Sequence, residues 1–288
     1  MFKGKKIGLA LGGGGARGFA HLGVLKVLED YGIQPDFISG TSMGALIGAF
    51  YCASPNAKQL VRLANTVQWK KIFDITLPTR GVIKGKIIDE FLKTHIGVSK
   101  FEELKIPLFV ATTDIENNRQ IIFNRGNLAK AVRASISIPG IFIPVKNKGR
   151  VLVDGGVIDP LAVEVLKDYA DIIIVVNVNS IEEVNKGYIL EEADSAKDGK
   201  LPNIVHTLFR SFHIIDSERV KDMLEKDHLS ADLVISPVLK GIRGRDFAKV
   251  NQAVRGGEIA ARKALDRWKF LKHKRKKHKT LLENLGLK

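Results

Sequence analysis

Four consecutive glycines, Gly12 to Gly15, stand between an apolar run and a helical period. Neither a helix nor a strand tolerates such a run, because glycine loses the most conformational freedom on ordering and packs no side chain. A turn is forced here. Before it, Lys6-Ile7-Gly8-Leu9-Ala10-Leu11 reads as a buried strand. After it, Phe19, Leu22, Leu25 and Leu28 recur at helical spacing within residues 18–31, and Gly32 closes that helix. Strand, glycine turn and helix make the opening unit of an α/β layer fold. The backbone N–H groups of such a turn, close to a helix N-terminus, favour negative charge. That charge is either a phosphate or a transient oxyanion.

The same alternation continues. Residues 36–39 read as a second strand and 43–51 as a helix of small residues. Residues 87–95 read as a helix, and 107–112, 150–153, 171–178 and 233–235 as strands, with a final helix from about residue 246. The expected fold is α/β, a mainly parallel central sheet with helices on both faces. At 288 residues, with 45% hydrophobic and 27% charged residues, the chain is an ordinary globular one. Disordered and collagen-like classes are excluded. No repeat or linker appears, so one domain over residues 6–260, followed by a basic helix or tail over 261–288, is the simplest division. Residues 180–202 are polar and aperiodic and read as either a mobile loop or a surface insertion. Cys52 is the sole cysteine, which excludes an internal disulfide and paired-cysteine zinc sites and favours a reducing compartment.

Three patterns carry chemistry. Gly13-x-Gly15-x-x-Gly18 fits a dinucleotide-binding turn, but such a site wants an acid at the far end of the second strand, and Asp36 opens that strand instead. No Gly-Lys-Ser/Thr step follows, so a Walker loop is excluded. Gly40-Thr41-Ser42-Met43-Gly44 lies between a strand and a helix, where a tight turn exposes a serine hydroxyl and needs small neighbours two residues either side. A nucleophilic serine needs a base. His95, His206, His213, His228, His273 and His278 all fall outside glycine-flanked loops after strands, and read as surface or helical residues, as does His21 in the first helix. A carboxylate is the alternative. Asp154-Gly155-Gly156 follows the strand 150–153, where a working side chain would project from the sheet's end. Asp-Gly is also a common hairpin turn, so this step alone decides nothing.

Together, and in this order, Gly13-Gly14-Gly15-Ala16-Arg17-Gly18, Gly40-Thr41-Ser42-Met43-Gly44 and Asp154-Gly155-Gly156 resemble the patatin-like phospholipase family, closest to its short bacterial members. Residues 134–144 also resemble that family's segment before the acid. The resemblance is strong over residues 6–180. It implies a fold related to the α/β-hydrolases, and hydrolysis of lipid acyl esters through an acyl-enzyme without metal or cofactor. It implies Ser42 as nucleophile and Asp154 as its base, a dyad without histidine. It places the oxyanion hole at the backbone of Gly13, Gly14 and Gly15, with Arg17 and Gly18 supporting the loop. Asp159 stands where many relatives carry asparagine and is not expected to be catalytic. The rival class is a non-catalytic nucleotide- or lipid-binding module built on the glycine loop. Aspartate is a weak base in water, near pKa 3.9, so the dyad requires burial or close alignment.

The net charge is +15, and +9 of it lies in residues 262–279. Ala261, Leu265, Trp268 and Leu271 share a helical face there. Two readings stand: a solvated helix end that packs one face on the domain, or docking on an anionic bilayer through the basic residues with Trp268, Phe270 and Leu271 at the interface. Nucleic acid is not expected, because no aromatic platform accompanies the charge. No run approaches the roughly 18 apolar residues of a spanning helix, so the expected location is cytoplasmic with peripheral membrane contact. Residues 84–97 and 180–202 are both candidates for a lid.

Overall fold

The computed structural model describes residues 2, 4–72, 85–179, 204–225 and 230–284. Among the described residues, eight strands form one sheet. β1 (Ile7–Leu11) lies at its centre, paired in parallel with β2 (Phe37–Thr41) and β7 (Ile172–Val176). β8 (Leu233–Ile235) extends the sheet beyond β7, and β3 (Leu108–Asp114) pairs in parallel with β2. β4 (Arg119–Phe123), β5 (Val145–Asn147) and β6 (Arg150–Asp154) pair antiparallel. The sheet is therefore mixed. Two short turns, with Asn118 and with Lys148 and Gly149 at positive φ, fold β3–β4 and β5–β6 into hairpins, which can only be antiparallel.

Side chains alternate along the central strands. Leu9, Leu11, Ile38, Ile174 and Val176 enter the larger core with α1 (Ala20–Asp30), α2 (Met43–Ala53), α3 (Ala57–Thr66), α4 (Trp69–Ile72), α5 (Lys86–His95) and α6 (Leu128–Ser135). Ala10, Phe109, Ile173 and Val175 enter a smaller core on the other face with Val220 of α7 (Ile204–Glu225). Strands buried on both faces read as near-continuous apolar runs, which is how β1 and β7 read.

The last helix, α8 (Val250–Asn284), lies along α1. Two glycines set the crossing: a Cβ on Gly23 would land on the Val254 carbonyl, and one on Gly257 on the Ala20 carbonyl. Lys26–Glu258 at 2.5 Å and Arg262–Asp30 at 2.8 Å flank the contact. α8 runs unbroken through residues 260 and 261, where the division between domain and tail is expected. Ala261 and Leu265 are fully buried, and Trp268 packs on Phe2 with ring centroids 5.9 Å apart. Trp268 thus faces the domain, whereas Phe270 is 67% exposed. Side chains from residue 271 onward, and the insertion at 180–202, lie outside the described residues. Of the lid candidates, α5 is seated in the core through Ile88, Phe91 and Leu92. No helix among the described residues is long and apolar enough to cross a membrane.

Candidate active site

Ser42 follows the last residue of β2 and caps α2 with φ 54 and ψ −120. A non-glycine residue occupies this region only when its surroundings dictate it. Gly44 shows how they do so. A Cβ there would strike the Leu11 carbonyl, so the turn fits against the end of β1 only without a side chain. Gly40 backs onto Ala45 in the same way. The Ser42 N–H donates to Ser135 Oγ at 2.9 Å, and that hydroxyl donates to the Ala111 carbonyl at 2.7 Å. The C-terminal turn of α6 thereby pins the serine turn to β3.

Asp154 reaches the same place from the opposite direction. Val110 and Ala111 pair with both β2 and β4, so those strands take opposite edges of β3. Residues 112–114 pair with both β4 and β6, so β6 takes the edge that β2 occupies. The two strands meet end to end: Thr41 lies opposite Ala111, and Asp154 opposite Thr112. Gly155 completes the approach, since a Cβ there would stand 2.5 Å from the Ala111 carbonyl oxygen. The Asp154 N–H donates to the Ser137 carbonyl at 3.0 Å, so α6's C-terminal segment holds both ends.

Asp154 is fully buried and Ser42 is 7% exposed. Asp154 Oδ1 accepts the Gly156 N–H at 2.8 Å. Burial pushes the Asp154 pKa up to about 7, against the opposing pull of the Ser42 hydroxyl and the Gly156 N–H. The Ser42 hydroxyl influences the carboxyl as a hydrogen-bonding group, while Oδ2 makes no hydrogen bond of full geometry.

In the glycine loop the amides divide. Gly12 donates to Val176 and Gly13 to the Pro160 carbonyl at 2.9 Å, while Ala16 donates to Gly244. The Gly13 N–H is thus engaged within the fold, whereas Gly14 and Gly15 show no backbone acceptor among the described residues. The Gly13 Cβ position lies 3.5 Å from Ser42 Cβ, so the loop passes directly against the serine. Gly14 and Gly15 precede and open the 3-10 turn Gly15–Phe19, where N–H groups have no partner within the helix. Gly18 lies against Met43, beside the serine. His21 holds the loop from beneath through Nε2 and the Gly12 carbonyl at 2.8 Å. Burial lowers its pKa to about 4, so the ring is neutral and the N–H donates.

The remaining histidines also have places. His95 stacks on Phe91, and His213 lies against the guanidinium of the buried Arg17 and within 3.1 Å of Ser217 Oγ. The side chains of His206, His273 and His278, and His228 altogether, lie outside the described residues. Asp159 accepts the amides of Leu161 and Ala162 and the side chain of Gln120, a structural use. Asp36 accepts the Ile7 amide at the opening of β2, far from where a ribose-binding acid belongs.

α7 covers the site with a polar face. Asp216 is 4% exposed and accepts from Asn179 Nδ2 through Oδ2. Gly156 separates it from Asp154: the point where a Cβ of residue 156 would sit is 3.2 Å from Asp154 Oδ1 and 3.3 Å from Asp216 Oδ1. Burial raises the Asp216 pKa to about 8, with Asp154 adding to it and Arg17 opposing. Asp216, Asn179 and Ser135 were not singled out from the sequence. Ser135 falls in the segment noted by resemblance, but no glycine or spacing marks the other two. Among the described residues no cluster of side chains could hold a metal ion.

Comparison with known proteins bears on this geometry. A family model described as patatin-like phospholipase matches residues 9–167. An uncharacterized NTE family protein of Mycobacterium tuberculosis is 31% identical over 276 residues, covering 91% of this chain and 47% of that protein. Lysophospholipase nte1 of Aspergillus fumigatus is 37% identical over 187 residues, covering 62% of this chain and 12% of that protein. The chain thus spans about half the length, or less, of these curated relatives. Among solved structures, VipD from Legionella pneumophila superposes with a TM-score of 0.51 at 14% identity, covering 91% of this chain and 67% of that one. That likeness concerns the fold.

Proposed function

The chain belongs to the patatin-like phospholipase family, and on that premise we propose that it is a serine acyl hydrolase of lipid esters working through Ser42 and Asp154. The observation that carries this reading is the end-to-end meeting of β2 and β6 on one edge of β3, which sets a serine in a strained turn against a buried carboxyl. A base with a pKa near 7 is well matched to neutral pH, and burial supplies it.

Asp154 accepts the proton as Ser42 Oγ bonds to the ester carbonyl carbon. The carbonyl oxygen takes the negative charge and is met by the Gly14 and Gly15 amides. One such donor contributes about 2.7–4 kcal/mol to lowering the barrier. The C–O bond to the leaving alcohol breaks, and Asp154 returns the proton to that oxygen. Water then attacks the acyl-Ser42 ester, Asp154 takes its proton, and the acid departs as Ser42 is reprotonated. The names of the fungal relatives support a lysophospholipid-type ester as substrate. Residues 262–279 are proposed to meet anionic lipid through their basic side chains. Equal flotation on anionic vesicles with and without residues 269–288 would remove that role.

Ser42→Ala and Asp154→Asn, assayed on a short-chain chromogenic ester, should each lower turnover by about 10⁴-fold or more. A fluorophosphonate should label Ser42 in the unaltered protein and nothing in Ser42→Ala. Turnover close to the unaltered protein's in either folded variant refutes the dyad.

A further inference from the structure

We propose that Asp216 is a positioning residue of this hydrolytic site: its carboxyl is buried beside that of Asp154, across Gly156, so the two carry a single negative charge between them while the enzyme works, and the charge resides on Asp154. This rests on the reading of Ser42 and Asp154 above. Both carboxyls are at most 4% exposed, and an oxygen of each lies within 3.3 Å of the same point beside Gly156. Two like charges this close and this dry oppose each other, so ionisation proceeds in two steps that belong to the pair.

The surroundings decide which group ionises first. Asp154 has the Gly156 N–H and the Ser42 hydroxyl to stabilise its anion. Asp216 has Asn179 Nδ2 on Oδ2, while Oδ1 is buried with no hydrogen-bond partner. A proton on Oδ1 suits that arrangement. The charged groups facing Asp216 are Arg17 from the glycine loop, Arg219 one turn along α7, Asp154 at the end of β6 and Asp159 beyond the following turn. Arg219 is engaged with the Ile158 carbonyl at 2.7 Å, and His213 lies on Arg17. The two arginines favour a charged Asp216 and the two aspartates oppose it, with burial the largest influence and on the opposing side. As pH rises the pair loses one proton to solvent, from Asp154, and the site becomes competent. A second loss, from Asp216, adds a negative charge beside Asp154 that opposes the negative charge developing on the substrate, and the site weakens.

The test is the rate of Ser42 labelling by a fluorophosphonate against pH, which needs no identified substrate. In the unaltered protein the rate should rise through the first ionisation and fall through the second. In Asp216→Asn the rise should remain and the fall vanish. One pH unit beyond the midpoint of the fall, the variant should label about tenfold faster than the unaltered protein. An Asp216→Asn profile that keeps both limbs and is merely scaled overturns the proposal and leaves the dyad standing. Absence of labelling at every pH in the unaltered protein overturns the dyad reading instead. Should Asp216→Asn not fold, infrared difference spectra of the unaltered protein decide: two carboxylic acid carbonyl bands must disappear in succession around neutrality. A single band, or none, overturns the proposal.

Discussion

At the scale of single residues, Ser42 and Ser135 divide the work of presenting a hydroxyl. The backbone of Ser42, at φ 54, costs about 1–3 kcal/mol for a residue other than glycine. Ser42→Gly should therefore melt at a higher temperature than Ser42→Ala, by the equivalent of about 1 kcal/mol, while both are inactive. Equal melting temperatures would show that the turn is unstrained. Ser135→Ala removes the acceptor for the Ser42 N–H and leaves it buried and unpaired. Turnover should fall about 10- to 100-fold with little change in KM, as the nucleophile shifts. Ser42 and Asp154 were legible because each is flanked by glycines that a tight approach requires. Asp216 was not, because what matters about it is a neighbour 62 residues earlier in the chain, and a helical aspartate carries no local mark.

Among the elements, the crossing of α1 and α8 inverts an ordinary preference. In an exposed helix, alanine in place of glycine stabilises by about 1 kcal/mol. In Gly257→Ala the new methyl meets the Ala20 carbonyl, and the helices must separate. The variant should lose about 1–3 kcal/mol in urea unfolding. A gain in stability would show that the crossing is loose. The strands β1, β2, β3, β6, β7 and β8 could be read because apolar runs between breakers mark them. β5 is three residues, Val145–Asn147, and β4 begins with Arg119-Gln120; both exist because a hairpin partner supplies their ladder. The mixed character of the sheet follows from those hairpins, and so it was hidden in turn geometry rather than in hydrophobic pattern. The helix α8 was expected, yet its continuity past residue 260 depends on Phe2 and α1 accepting its apolar stripe, which no local pattern reveals.

For the molecule as a whole, buried groups tilt stability in opposite directions, His21 one way and Asp154 and Asp216 the other. His21, with a folded pKa of about 4 against 6.5 unfolded, contributes fully above pH 6.5, and that contribution is lost as pH falls toward 4. Asp154, at about 7 against 3.8, contributes fully below 3.8 and loses that contribution as pH rises to about 7. Asp216, at about 8 against 3.8, runs the same way as Asp154. Each slope is about 1 kcal/mol per pH unit, so between 4 and 6.5 His21 offsets one carboxyl and the other leaves a net fall in stability with rising pH. Asp154→Asn removes one of the two carboxyl slopes. The variant should match the unaltered protein below pH 4 and exceed it increasingly toward pH 7, measured by urea midpoints across that range. A difference independent of pH would mean that the carboxyl is not held protonated by its surroundings. The abutment of β2 and β6 has a consequence for register as well. Thr41 and Asp154 face adjacent residues of β3, so one residue step along that strand sets the spacing between Ser42 and Asp154. A one-residue slip of either strand against β3 would turn its side chains to the opposite face of the sheet and part the two groups.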